Sequence, residues 1–274
     1  MSPGRYQALF SDLEQRGEGA FVPFVVLGDP SLGASLEIVE ALVRGGADAL
    51  ELGIPFSDPI ADGPVIQSAA VRALVAGATT AGCFEVISAV RERHPAIPIG
   101  LLVYANLVVA PGPSSFYRRA ARAGVDSVLV ADVPVFEAGQ FVAAAGDVGV
   151  DPVLIVPPNA DDSRLAQIAR AARGYTYVVA RSGVTGVNEH LRTDRSELIG
   201  RLIELGAPPS LVGFGVSRPD HVRSVLEAGA AGAISGSAVV AIVEQHLERP
   251  GPMLDRIREF VGEMKDATRE ERMR

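Results

Sequence analysis

A repeated unit runs through this chain: a helix-length segment closes on a glycine, and a short apolar run begins at once. It is plain in GADALELG at 46–53, GVDSVLVA at 124–131 and GAAGAISG at 229–236. Glycine tolerates the left-handed conformation that ends many helices, so each unit reads as a helix stop feeding a buried strand. Eight strand candidates follow, at 21–28, 49–54, 98–104, 127–132, 152–156, 176–181, 211–216 and 231–235. Between them, apolar residues recur at the three- and four-residue spacing of amphipathic helices, as in Leu198, Ile199, Leu202 and Ile203.

Strict strand–helix alternation implies parallel strands, because a short loop cannot join parallel neighbours. Eight such units predict an α/β fold, a (β/α)8 TIM barrel in preference to an open doubly wound sheet. Residues 1–274 read as a single barrel domain, with an extra N-terminal helix at about 5–15 and additional helical insertions, chiefly 81–93. The final helix carries Leu254, Ile257, Phe260, Val261 and Met264 on one face and runs into a charged tail.

Composition narrows the partners. A formal charge of −8 with no dense Lys/Arg tract argues against nucleic acid or an anionic membrane. The most apolar run, 228–243, is shorter than a membrane span and is interrupted by glycine. The only cysteine, Cys83, has no intramolecular partner, and the N-terminus lacks a signal-peptide pattern, so a cytoplasmic setting is expected. His94, His190, His221 and His246 fall at no metal-ligand spacing, so no metal site is predicted.

The chemistry concentrates in ELGIPFSDPIADGP at 51–64. Period-two alternation puts Ala49, Glu51 and Gly53 on the face opposite Leu50, Leu52 and Ile54, so Glu51 points into the barrel near its C-terminal end. Burial raises a carboxyl pKa, which suits a general acid near neutral pH. The alternative is a structural ion pair with Arg181. Asp58 and Asp62 lie in a loop stiffened by Pro55, Pro59 and Pro64; each also fits ordinary turn chemistry, but Asp62 beside Glu51 reads as a second catalytic carboxylate.

Phosphate-binding signals come late, in GFG at 213–215 and in Gly236-Ser237 after the eighth strand. Loops after strands seven and eight are the usual barrel phosphate site, where glycine lets backbone N–H groups approach the oxygens. Turn glycines are the alternative. Tyr175 and Tyr177 share the inward parity of strand six, and RSGVTG at 181–186 has the composition of a closing lid.

Together these segments resemble the alpha subunit of tryptophan synthase. The resemblance is carried by GAFVPFVVLGDP at 19–30, residues 46–67, PIGLLVYAN at 98–106, residues 124–134, PPNAD at 157–161, GYTY at 174–177, residues 181–186, GFG at 213–215 and residues 229–238. It implies retro-aldol cleavage of indole-3-glycerol phosphate to indole and glyceraldehyde 3-phosphate. By that resemblance Glu51 is the acid/base, Asp62 accepts the indole N–H, and Tyr177 is the active-site tyrosine. Phe24, Leu102, Leu129 and Ile234 match the indole wall, while Gly186, Phe214, Gly215, Gly236 and Ser237 match the phosphate cradle.

Asp58 and Thr185 match mobile loops that couple the site to a beta subunit, with Thr185 also facing the substrate. The resemblance further implies an alpha2beta2 complex, no cofactor in this chain, and pyridoxal phosphate in the beta partner. A stand-alone indole-3-glycerol phosphate lyase releasing free indole is the alternative. VNEHLRTDR at 187–195 and PGP at 111–113 depart from the family's pattern.

Overall fold

The inward and outward faces of the strands separate two apolar clusters. Phe21, Val25, Leu50, Leu52, Ile99, Leu101, Val128, Val178 and Val212 join the helices in an outer cluster. Val22, Phe24, Leu129, Val153, Tyr175, Tyr177, Leu211 and Ile234 fill an inner one. Alternation along each strand produces this division in a closed barrel.

The computed structural model describes residues 4–179 and 189–269. Its strands are β1 (Ala20–Val26), β2 (Leu50–Gly53), β3 (Ile99–Val103), β4 (Ser127–Val130), β5 (Asp151–Val156), β6 (Thr176–Val179), β7 (Ser210–Gly213) and β8 (Gly232–Ser235). All pair in parallel in chain order, and β8 returns to β1 with Val22 opposite Ile234, closing the barrel. The expected strand at 211–216 stops at Gly213, because Phe214 (φ 66°) and Gly215 (φ 79°) turn into the left-handed region.

α1 (Arg5–Arg16) is the expected N-terminal addition. It ends on Gly17 in the left-handed conformation and inserts Tyr6 and Leu13, each 2 % exposed, into the inner cluster. The Tyr6 ring lies 5.3 Å from that of Tyr175, and Ser127 Oγ donates to Tyr6 Oη at 3.1 Å. Ser127 opens β4 and Tyr175 immediately precedes β6, so α1 stops the barrel at the N-terminal ends of its strands.

The other helices are α2 (Leu32–Arg44), α3 (Pro64–Val75), α4 (Thr80–Arg93), α5 (Ala105–Val109), α6 (Pro113–Ala123), α7 (Gly139–Gly146), α8 (Asp162–Ala171), α9 (Glu189–Glu204), α10 (Pro219–Glu227), α11 (Ser237–Gln245) and α12 (Pro250–Asp266). Two of them fall between β2 and β3, and their roles are the reverse of the sequence expectation. α4 packs between α2 and α6 in the outer ring, whereas α3 packs on β1 and α11 and is the additional element. Three buried alanines, Ala69, Ala70 and Ala73, let α3 lie close to its neighbours.

α12 locks the chain end onto the start of β1. Lys265 Nζ sits 3.0 Å from both Glu18 and Asp48 and donates to Gly19 O at 3.1 Å. Asp48 in turn accepts from Phe21 N at 2.7 Å. A buried ammonium needs this degree of pairing. Among the described residues, no single helix is long and apolar enough to cross a membrane.

Candidate active site

Glu51 is 2 % exposed, one of few charged groups so deeply buried. β2 directs it inward between Phe24 of β1 and Gly100 of β3, its register partners on either side. Tyr175 Oη donates to Glu51 Oε1 at 2.9 Å. Burial pushes the Glu51 carboxyl up to about 7; the Tyr175 hydrogen bond pulls it down, and the nearby Asp62 charge raises it further. Arg181, the alternative partner, lies outside the described residues.

Asp62 stands across the mouth, after β2 and two residues before α3. Tyr104 Oη donates to Asp62 Oδ2 at 2.9 Å and accepts from Ala61 N at 3.1 Å. Gln67, one turn into α3, donates to the Asp62 carbonyl at 2.8 Å. Half-burial raises the Asp62 pKa, and the Tyr104 hydrogen bond opposes the rise. Burial raises both carboxyls, and each is held by a tyrosine hydroxyl, Glu51 by Tyr175 and Asp62 by Tyr104.

Beside Asp62 lies an apolar pocket walled by Phe24, Val26, Leu102, Phe56, Ile66 and Tyr104. Its wall is flat and aromatic on one side, where Phe56 and Tyr104 stack at 5.4 Å. Asp62 is the one carboxylate on this apolar lining. Leu129 and Ile234 are buried in the inner cluster rather than on this wall. Tyr177 is also buried there, and its ring meets that of Phe214 edge-on at 6.1 Å. Its hydroxyl lies directly over Gly213, where a Cβ would sit 2.0 Å away, so any side chain at 213 displaces it.

The glycine-rich turns meet on the other side of the mouth. Phe214 and Gly215 both have positive φ, and Gly215 has open space where a Cβ would stand. Ser235 Oγ donates to Val216 O at 2.7 Å and pins the loop after β7 to the end of β8. Gly236 precedes α11, whose first turn has no side-chain cap, and Ser237 is exposed at that turn. Uncapped N–H groups at a helix start attract an anion.

Asp58 is exposed, bonded to its neighbour Ser57. Thr185 and Gly186 lie outside the described residues. Sequence reasoning overlooked Tyr104, Ile66 and the whole of α3. Tyr104 had a signal, since it shares the inward parity of Gly100 and Leu102; α3 had none beyond a helical period. Among the described residues, no group of three or more His, Cys, Asp or Glu gathers as a metal site would.

The family model described as tryptophan synthase alpha chain matches residues 10–269. The tryptophan synthase alpha chain of Klebsiella pneumoniae (strain 342) is 57% identical over 265 residues, which cover 97% of this chain and 98% of that one. Tryptophan synthase subunit alpha from Legionella pneumophila str. Paris superposes with a TM-score of 0.89 at 27% identity, over 97% of this chain and 99% of its own. A chain of the Pyrococcus furiosus tryptophan synthase complex gives a TM-score of 0.80 at 35% identity, covering 90% and 98%. A match of this extent, together with a buried glutamate, a rim aspartate and two glycine turns in their expected order, makes the chain a member of the tryptophan synthase alpha chain family.

Proposed function

We propose that this alpha chain cleaves indole-3-glycerol phosphate with Glu51 as the proton-transfer group and Asp62 as the partner of the indole N–H. The ring lies in the pocket of Phe24, Leu102 and Tyr104, and the phosphate lies against Phe214, Gly215, Gly236 and Ser237. The observation that carries this reading is the placement of Glu51: fully buried, near-neutral in pKa, and paired across the barrel wall with Phe24, which lines an aromatic-walled pocket together with Asp62.

The proton count closes on one residue. Protonated Glu51 delivers its proton to indole C3, which makes the ring cationic and turns it into an electron sink. The Glu51 carboxylate then takes the proton of the adjacent hydroxyl as the C–C bond breaks and the aldehyde forms. The bonding pair returns to the ring, indole leaves neutral, and Glu51 is protonated again. Asp62, held by Tyr104, offsets the positive charge while it lasts. Tyr177 packs beside the glyceryl chain between the two carboxyls and Phe214.

The electron sink is the substrate's own ring, so the step needs no cofactor in this chain. Pyridoxal phosphate sits in the beta chain, the partner that completes tryptophan synthase. Matches to alpha chains from end to end favour this subunit over a stand-alone lyase that releases indole. We place Asp58 and Thr185 in the loops that couple to that partner, the whole chain in one barrel domain, and the reaction in the cytoplasm.

The test is turnover of indole-3-glycerol phosphate by the full chain with beta present. Glu51→Gln and Asp62→Asn each lower kcat by about 10²-fold or more, as loss of a positioned acid or charge-stabilising group does. Near-normal turnover in either variant removes that residue from the mechanism.

A further inference from the structure

α3 carries the indole end of the site, yet it is the helix outside the regular ring. It starts two residues after Asp62, holds the Asp62 carbonyl through Gln67, and supplies Ile66 and Ala70 to the pocket. Its buried face is small and smooth: Ala69, Ala70 and Ala73. Alanine contacts allow close approach but resist sliding weakly, because they interlock little. What fixes α3 in place is Arg72.

Arg72 makes a three-way clamp. Its Nε and Nη2 donate to the two oxygens of Asp29, each at 2.9 Å, and its Nη1 donates to Glu244 Oε1 at 2.7 Å. The Asp29 side chain is 3 % exposed at the exit of β1, and Glu244 sits near the end of α11. One planar guanidinium therefore ties the barrel wall, the indole-end helix and the phosphate-end helix together. The bidentate fork sets orientation as well as distance.

Each helix acts as a rod from the clamp to its own half of the site. Arg72 lies eight residues beyond the start of α3 at Pro64, and Glu244 seven beyond the start of α11 at Ser237. Those arms are about 12 and 10 Å long at the α-helical rise. A small rotation at the clamp moves the two starts, and with them Asp62 and the phosphate cradle, relative to each other.

We infer that Arg72, with Asp29 and Glu244, is a positioning residue that sets the span between the indole half-site and the phosphate half-site. This rests on the assignment of those half-sites above. Its consequence is specific: loosening the clamp leaves each half-site intact but misaligns them for a ligand that must occupy both. The loss falls on the connection between the halves, the advantage a tethered ligand has over its fragments.

The experiment compares whole substrate with fragments in the full chain, using Arg72→Lys, which keeps the charge but not the fork, and Glu244→Ala, which opens only the α11 arm at a half-exposed residue. Measured are KM and kcat for indole-3-glycerol phosphate, and inhibition constants for indole and for inorganic phosphate. Expected are a rise in substrate KM of about five- to tenfold with Arg72→Lys, and a smaller rise with Glu244→Ala. Both fragment constants stay within about twofold of the unsubstituted chain. Fragments and substrate weakening in parallel, or a substrate KM unchanged in both variants, overturns the clamp. The half-site assignment fails separately, if Gly215→Val leaves the phosphate constant unchanged.

Discussion

Tyr175 Oη and Glu51 Oε1 form a 2.9 Å hydrogen bond inside the barrel, between side chains 124 residues apart in sequence. Tyr175 itself leans on Tyr6 of the N-terminal helix, so the proposed acid is held from beneath by a tilted aromatic pair that reaches the closed end of the barrel.

Removing that bond moves the ionisation of Glu51 upward. The Tyr175 hydroxyl stabilises the carboxylate and works against burial, so Tyr175→Phe raises the Glu51 pKa above its value of about 7. The inflection in the pH profile of kcat/KM that Glu51→Gln abolishes is therefore expected at higher pH in Tyr175→Phe. A downward move, or none, separates Tyr175 from Glu51 ionisation.

Glu51 also makes stability depend on pH. Its folded pKa of about 7 exceeds the ordinary 4.5, so the folded state keeps a proton that the unfolded chain releases within that window. Stability from this group is complete below pH 4.5, declines as pH rises, and is lost once pH passes about 7; the penalty there is about 3 kcal/mol. Glu51→Gln stays neutral and still accepts from Tyr175. The variant is expected to gain stability at pH 8 and little or none at pH 4.5 in chemical denaturation, and a gain independent of pH refutes the linkage.

Tyr104 gives Asp62 its orientation. Tyr104→Phe removes the donor to Oδ2 and the acceptor for Ala61 N while keeping the ring stacked on Phe56. A hydrogen bond to a charged group is worth about 1.5–3 kcal/mol, so kcat is expected to fall by about 10- to 100-fold. Full turnover in this variant shows that the pocket alone orients Asp62.

The barrel was legible from local pattern. Period-two alternation in 49–54 put Glu51 inside, and glycine-terminated helices counted out the strands, because side-chain direction and helix stops depend only on near neighbours along the chain. The proline-framed loop and the late glycine turns pointed to the carboxylates and the anion end of the proposed site for the same reason. What tertiary structure decided is pairing: Tyr175 on Glu51, Tyr104 on Asp62, Arg72 between Asp29 and Glu244, and α3 rather than α4 as the added helix. Those partners lie 42 to 172 residues apart, and only closure of the barrel brings them within hydrogen-bond reach.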